Sequence, residues 1–227
     1  MKNIYLDIET IALPVELRAG GKPDPADIKI GHLKDPAKIA AKIAEVMAEW
    51  EAGDGCALRA DEGRVALVGI AVDDGPVVSI CDDHEGDLLG KVWEVITEAA
   101  NIVQPVPGTE VKLHQIVGHN VRFDSGFLVR RSWVNAVPVP GIYVRDLYEY
   151  RPRYWRDTMA AWALGDRQCM IGLKAMCGAF GVPVKAGPVT GKTFGEWWGR
   201  DRALCLEYNK QDVEAVRELW ARVQEGA

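Results

Sequence analysis

Apolar and acidic residues alternate near the start of the chain, in the run Tyr5–Thr10 (YLDIET). Successive side chains of a β-strand point to opposite faces, so Leu6 and Ile8 share one face while Asp7 and Glu9 share the other. The two carboxylates are then neighbours, about 6.5–7 Å apart along the backbone. The pattern predicts a strand over residues 2–9 that carries paired acids where a buried strand should carry apolar groups.

The 227 residues are 48% hydrophobic, which is enough for one sizeable core. We expect a single domain over residues 1–227, with an insertion at about 12–63 that is rich in proline, glycine and charge. The net charge of −6 argues against sequence-independent coating of nucleic acid, which needs a basic surface. It permits brief contact with a nucleic-acid end.

Five cysteines are scattered along the chain, and no two of them form a C-x-x-C pair. This spacing favours neither a zinc site nor a disulfide framework, and it fits a reducing compartment. No apolar run approaches the ~18 residues of a membrane span, and nothing resembles a signal peptide. We therefore expect a cytoplasmic protein that makes no membrane contact.

Strand and helix patterns interleave, which predicts an α/β domain with a mixed sheet. In the insertion, Asp35–Trp50 predicts an amphipathic helix that packs on the main body. Asp74-Gly75 lies between two β-rich runs and predicts a hairpin. A further strand ends at Asn120, a helix begins near Asp124, and the last helix spans about residues 201–224.

Two further segments carry acids at the ends or inner faces of these elements. In GHNVRFDSGFL, Asp124 follows the end of a predicted strand. In LEYNKQDVEAVRELW, Tyr208 and Asp212 are four residues apart on the last helix, so their side chains are adjacent. Ala215 and Leu219 continue this stripe, which we expect to face inward.

Four acids could therefore meet in one place: Asp7, Glu9, Asp124 and Asp212. Two carboxylates ~5 Å apart repel by roughly 3 kcal/mol at an effective dielectric of 20, so four of them require protonation or bound cations. Oxygen ligands alone suit Mg²⁺ or Mn²⁺. Two such ions about 3.5–4 Å apart form a clamp for in-line attack on a phosphodiester.

Three segments, YLDIET, HNVRFD and YNKQD, resemble in this order the exonuclease motifs of the DEDD superfamily of 3′–5′ exonucleases. The form Tyr208-x-x-x-Asp212 is that of the tyrosine branch. The first two segments look closest to the proofreading domain of family B DNA polymerases and its stand-alone relatives. The resemblance implies a ribonuclease H-like mixed five-stranded sheet flanked by helices, with an inserted helical segment after the first strand.

The resemblance also implies the roles of individual residues. Asp7, Glu9 and Asp212 would hold one divalent ion, Mg²⁺ or Mn²⁺, and Asp7 would bridge to a second ion held by Asp124. Tyr208, helped by Glu9, would orient the attacking water. Since an ordinary tyrosine has a pKa near 10, positioning suits Tyr208 better than base catalysis.

The substrate implied by the resemblance is DNA with a free 3′ end, single-stranded, from which nucleoside 5′-monophosphates are released. The substrate-binding residues implied are Thr10, Ile11, Asn120 and Phe123. A replication or repair partner is not identified by any motif. Two alternatives stay open: a 3′–5′ exoribonuclease of the ribonuclease D type, and a non-catalytic nucleic-acid-binding module on the same fold.

The segment YEYRPRYWRD interleaves aromatic residues with arginines, a combination that grips single strands by stacking and phosphate pairing. Its residues are Tyr148, Tyr150, Arg151, Arg153, Tyr154, Trp155 and Arg156. Half of the aromatic side chains could equally belong to the core, so both interpretations stay open.

Overall fold

The structure is a computed structural model that describes residues 2–53, 55–100, 114–150, 152–183 and 187–225. The strands of this part of the chain are β1 (Asn3–Ala12), β2 (Gly63–Val72), β3 (Val78–Ile80), β4 (Gln115–Gly118) and β5 (Trp155–Asp157). Its α-helices are α1 (Pro36–Ala52), α2 (Glu85–Ala99), α3 (Val121–Val134), α4 (Gly141–Asp146), α5 (Thr158–Ala163), α6 (Leu173–Phe180), α7 (Phe194–Arg200) and α8 (Arg202–Glu225).

The strands form one sheet in the order β3-β2-β1-β4-β5. β1 is parallel to β4, β4 is parallel to β5, and β2 is antiparallel to β3. The predicted α/β class and the mixed five-stranded sheet flanked by helices are confirmed. So is the hairpin around Asp74-Gly75, because β2 and β3 pair across it.

β1 is the central strand of this sheet, and both of its faces are covered. Leu6 is 0% exposed on one face, and Tyr5 is 6% exposed on the other. A strand buried on both faces normally carries apolar side chains throughout. The acids of β1 therefore need a specific environment.

Helix α8 covers the face of the sheet that carries Tyr5. Val213, Val216 and Trp220 of α8 form a buried cluster with Tyr5 and with Ala71 of β2. Tyr5, Asp7 and Glu9 point to the same face of β1, because every second side chain of a strand does so. Helix α8 therefore also lies over the two acids.

The deeply buried face of α8 differs from the predicted one. Of the predicted stripe, only Leu219 is fully buried, while Tyr208, Asp212 and Ala215 are half-buried. The fully buried residues of α8 are Cys205, Asn209, Val213, Val216, Leu219 and Trp220. Tyr208 and Asp212 thus lie along the margin of the buried face, where they can reach both the sheet and a cavity.

Helix α3 begins earlier than the sequence pattern predicts. It starts at Val121, not near Asp124, and Asn120 precedes it with a left-handed backbone (φ 59°). Asparagine tolerates this conformation better than most residues. The early start places Asp124 in the first turn of α3, where its side chain reaches β1.

Two compact units divide the chain, one built from Met1–Glu9 and Val65–Ala227, and the other from Thr10–Arg64. In the second unit, the predicted helix is present as α1, whose first turn is capped by Asp35 accepting from the Ala37 N–H at 2.9 Å. It ends at Gly53, which has a left-handed backbone (φ 81°). The prediction of a single domain with an insertion stays a prediction.

Within the described residues, no helix combines the length and the apolar character that are needed to cross a membrane.

Candidate functional site

Three carboxylates from distant parts of the sequence meet beside the central strand. One oxygen each of Asp7, Glu9 and Asp212 can be chosen so that all three lie within 4.8 Å of one another. Glu9 is buried, whereas Asp7 and Asp212 are half-buried. The alternation of β1 brings Asp7 and Glu9 onto one face, and α8 brings Asp212 down onto that face.

The chemistry of this cluster fits a hard divalent cation. At ~5 Å, each pair of charged carboxylates repels by roughly 3 kcal/mol at an effective dielectric of 20, and partial burial strengthens this repulsion. A cation between the three groups would remove it. Because all the ligand atoms are carboxylate oxygens, the cluster suits Mg²⁺ or Mn²⁺ better than a thiophilic metal.

Tyr208 lies against the same cluster. Its side chain is hydrogen-bonded to Asp212, and burial, followed by the charges of Asp212, Glu9 and Asp7, raises its pKa well above the ordinary value. Tyr208 is therefore a neutral phenol at physiological pH, and its hydroxyl donates to Asp212. Its ring packs near Phe194 of α7, with 6.4 Å between the centroids.

Asp124 is held beside the cluster but is not one of the three converging acids. Its Oδ1 accepts a hydrogen bond from the Ile8 N–H at 3.1 Å, between the two acids of β1. The residue is 4% exposed, and burial raises its pKa to about 7, although the hydrogen bond from Ile8 acts in the opposite direction. The carboxylate of Asp124 thus ties α3 to the strand that carries Asp7 and Glu9.

The four residues predicted to contact substrate have different surroundings. Asn120 is exposed, and its N–H donates to Asp157 at 2.9 Å. Phe123 is half-buried and its ring lies 5.5 Å from that of Phe127. Both lie between β4 and Asp124 in the sequence.

Thr10 and Ile11 belong to the second unit. The Thr10 hydroxyl donates to the Ala57 carbonyl at 2.5 Å, and Ile11 is half-buried. Their role in binding substrate stays a prediction.

Asn209 is a site residue that the sequence reasoning missed. Its Nδ2 donates to the Asp7 Oδ2 at 2.8 Å and to the Asp7 carbonyl at 3.3 Å. The residue is 0% exposed, and its Oδ1 has no hydrogen-bond partner among the residues that the structure describes. One carboxylate oxygen of Asp7 is therefore fixed by a buried amide.

Gly69 of β2 makes room for this amide. A Cβ at position 69 would lie 2.3 Å from the Asn209 Oδ1 and 2.7 Å from a methyl group of Val213. Any larger residue would have to displace the side chain that holds Asp7. The signal for Asn209 was present in the sequence: it is the polar member of the stripe Cys205-Asn209-Val213-Val216, which otherwise has helical apolar spacing.

The polar groups at the carboxyl ends of β4 and β5 have structural partners. The two ring nitrogens of His119 lie 2.9 Å from the Thr158 hydroxyl and 3.0 Å from the Ile171 carbonyl, and burial lowers its pKa. Asp157 accepts from the Met159 N–H at 2.9 Å and caps α5.

A cavity of about 890 Å³ borders the cluster through Tyr208 and Asp212. Its walls come from α6, α8 and the described residues between α6 and α7. Polar side chains on its walls include Lys174, Glu207 and Gln211. The volume is within the usual range for small-molecule sites, so a nucleotide unit would fit next to the carboxylates.

No protein-family model matches this sequence, and a search among curated proteins found no match either.

Proposed function

We propose that this protein is a divalent-metal-dependent 3′–5′ exonuclease of the tyrosine branch of the DEDD superfamily, on a ribonuclease H-like fold, with DNA as its substrate. The observation that carries the proposal is the meeting of Asp7, Glu9 and Asp212 within 4.8 Å. These residues come from the first and third of the resembling motifs. Asp124, from the second motif, is bonded to the same strand.

The chain supplies distinct groups for hydrolysis of a phosphodiester. Asp7, Glu9 and Asp212 would hold one cation, and Asp124 would join Asp7 in holding a second. Bound Mg²⁺ or Mn²⁺ supplies acidity to water and stabilises the charge that develops on the phosphate. Because one oxygen of Asp7 is fixed by Asn209, the Asp7 carboxylate is already oriented before a cation binds.

Tyr208 acts by orientation in this proposal. Even at the ordinary tyrosine pKa near 10 the hydroxyl stays protonated at neutral pH, so it does not remove a proton from water. A neutral phenol that donates to Asp212 can instead accept a hydrogen bond from the attacking water and so hold it in position. The adjoining cavity leaves space for the terminal nucleoside, and the direction of attack follows from the motif resemblance.

The test is digestion of matched single strands of DNA and RNA, labelled at either end, with Mg²⁺, Mn²⁺ or a chelator. We expect DNA to shorten from its 3′ end and release nucleoside 5′-monophosphates only when a metal is present. Faster cleavage of the RNA strand would reassign the substrate. A native protein that digests no strand with either metal contradicts the proposal.

A matched pair of variants links the activity to the cluster. Asp7→Asn keeps the shape of the side chain and removes its charge, so it should slow digestion about a hundredfold or more. Asp87→Asn removes an exposed acid of α2 and should digest at the native rate. Equal rates for the two variants would exclude the cluster as the catalytic site.

A further inference from the structure

Two tyrosines next to β5 are almost completely exposed. Tyr148 is 81% exposed and Tyr150 is 92% exposed, although tyrosine is usually at least partly buried. The other aromatic residues of the same segment are different, since Trp155 is buried and Tyr154 packs 5.8 Å from Tyr143. Two aromatic residues of the segment, Tyr154 and Trp155, thus pack against the protein. The other two, Tyr148 and Tyr150, face solvent.

Exposed arginines accompany these tyrosines. Arg145 and Arg153 are both exposed, and neither makes a salt bridge with any residue that the structure describes. Both guanidinium groups lie near the Tyr154 hydroxyl, where their charges act to lower its pKa against the larger effect of burial. One exposed acid, Glu149, lies between the two tyrosines in the sequence. Arg151 lies outside the described residues.

The backbone around the tyrosines is fixed by hydrogen bonds. The buried carboxylate of Asp146 accepts from the N–H groups of Arg153 at 2.7 Å and Tyr154 at 2.8 Å. The Tyr148 N–H donates to the Arg145 carbonyl at 3.1 Å. The backbone that carries Tyr148 and Arg145 is therefore fixed without a ligand, which lowers the entropic cost of binding one.

These four residues lie away from the carboxylate cluster. The register aligns Trp155, Ile116 and Ile4 across β5, β4 and β1. Asp7 is three residues further along β1, about 10 Å at the usual rise per residue, and the tyrosines precede Trp155. A ligand that contacts both places must therefore be longer than a single nucleotide.

We propose that Arg145, Tyr148, Tyr150 and Arg153 form a second contact surface for single-stranded nucleic acid, upstream of the end that enters the carboxylate cluster. The inference rests on the proposed nuclease function. Exposed planar rings stack on unpaired bases whatever their sequence, and arginines beside them pair with the phosphates. Although the net charge of the chain is −6, such a surface provides one place where a nucleic-acid strand can bind.

The test measures the affinity for a labelled oligothymidylate in the presence of a chelator, so that binding is separated from cleavage. Tyr148→Ala and Tyr150→Ala should each weaken binding about tenfold. Trp133→Ala removes an exposed aromatic residue of α3 and should leave the affinity unchanged. Arg145→Ala should also reduce the salt dependence, by roughly 0.7 in the slope of log affinity against log salt.

Glu149→Gln removes the exposed acid between the two tyrosines and should bind the nucleic-acid strand more tightly than the native protein. A gain in affinity cannot result from misfolding. Native affinity in both tyrosine variants, or no change in Glu149→Gln, would overturn the proposed surface.

A small substrate separates this inference from the proposed function. The p-nitrophenyl ester of thymidine 5′-monophosphate can occupy the cluster but is too short to reach the tyrosines. Tyr148→Ala and Tyr150→Ala should hydrolyse it at the native rate, while the KM for long strands rises. A native protein that leaves both this ester and long strands intact would contradict the nuclease function itself, whereas an unchanged KM for long strands would contradict only the surface.

Discussion

At the scale of single residues, the orientation of Asp7 depends on a side chain 202 positions away in the sequence. Asn209 donates to an Asp7 oxygen, and Gly69 leaves the space that its amide occupies. Groups behind a metal ligand fix the ligand's rotamer and its basicity. The geometry of the cluster is thus set by residues that carry no charge.

We predict that Asn209→Leu weakens the binding of Mn²⁺ about 10- to 100-fold, because Asp7 loses its donor while the branched shape of the side chain is kept. Gly69→Ala should act in the same direction, since the new methyl group displaces the amide. Binding is measured by calorimetry. Gly90→Ala, at a helix position where a Cβ meets nothing within 4 Å, is the control and should bind Mn²⁺ normally. A native affinity for Mn²⁺ in Asn209→Leu would show that Asp7 does not depend on the hydrogen bond from Asn209.

Tyr208 provides a second test at this scale. Tyr208→Phe keeps the ring beside Phe194 and removes only the hydroxyl. We expect kcat to fall by up to about a hundredfold, because the group that orients the water is lost. The KM and the affinity for Mn²⁺ should change little, because no metal ligand is removed. Tyr5→Phe, in the core beneath α8, should keep the native kcat. A native kcat in Tyr208→Phe would remove the hydroxyl from the mechanism.

Local periodicity explains how much of this site could be predicted. The alternation of β1 and the four-residue spacing on α8 each place two functional side chains on one face, and both patterns are visible in the sequence. The contact between Asn209 and Asp7 joins two elements, so no local pattern specifies it. The stripe that the sequence predicts for α8 is one residue out of phase with the buried one, because Tyr208 and Asp212 lie at the margin of the buried face.

At the scale of secondary-structure elements, a buried ion pair joins α2 to α3. The Arg131 guanidinium donates to the Glu85 carboxylate at 2.6 Å, and both side chains are buried. Glu85 also accepts a hydrogen bond from the Val65 N–H at 2.7 Å, near the start of β2. One carboxylate therefore connects two helices and β2.

Removing one partner should be costly, because the other charge is then buried without a counter-charge. We predict that Arg131→Met lowers the free energy of unfolding by about 3–5 kcal/mol. The exposed pair Arg222–Glu218, at 2.7 Å, is the matched control, and Arg222→Met should cost less than about 1 kcal/mol. Urea unfolding followed by circular dichroism measures both. The double variant Glu85→Gln with Arg131→Met should recover part of the loss, and a loss below 1 kcal/mol in Arg131→Met would contradict the buried pair.

The boundaries of elements were harder to predict than their presence. The start of α3 was expected near Asp124, because an acid in a first turn resembles a helix cap. In the structure, Asp124 bonds to the Ile8 N–H of another element, and Asn120 with its left-handed backbone precedes the helix. The start of α3 depends on this tertiary contact. Helix propensity alone therefore predicts a start that is too late in the sequence.

At the scale of the whole molecule, the five cysteines are divided between the surface and the core, so their reactivity reports the folded state. Cys81 and Cys169 are exposed, whereas Cys56, Cys177 and Cys205 are buried. Cys205 lies on the stripe of α8 that also carries Asn209, and burial, together with the charges of Glu9 and Asp201, raises its pKa to about 11. Its thiol is thus protected both by packing and by protonation.

We predict that iodoacetamide at neutral pH modifies Cys81 and Cys169 within minutes and leaves the three buried thiols unmodified, because alkylation needs an accessible thiolate. In urea all five should react, and peptide mass spectrometry assigns each adduct. Cys205 reacts only when the buried face of α8 opens, and because Glu9 lies close enough to raise its pKa, its rate reports opening next to the carboxylate cluster. Mn²⁺ held between β1 and Asp212 of α8 should slow this rate further, by favouring the closed state. Rapid alkylation of Cys205 in the native protein would contradict the packing of α8 on the central strand, and a rate unaffected by saturating Mn²⁺ would contradict a cation shared by the two elements.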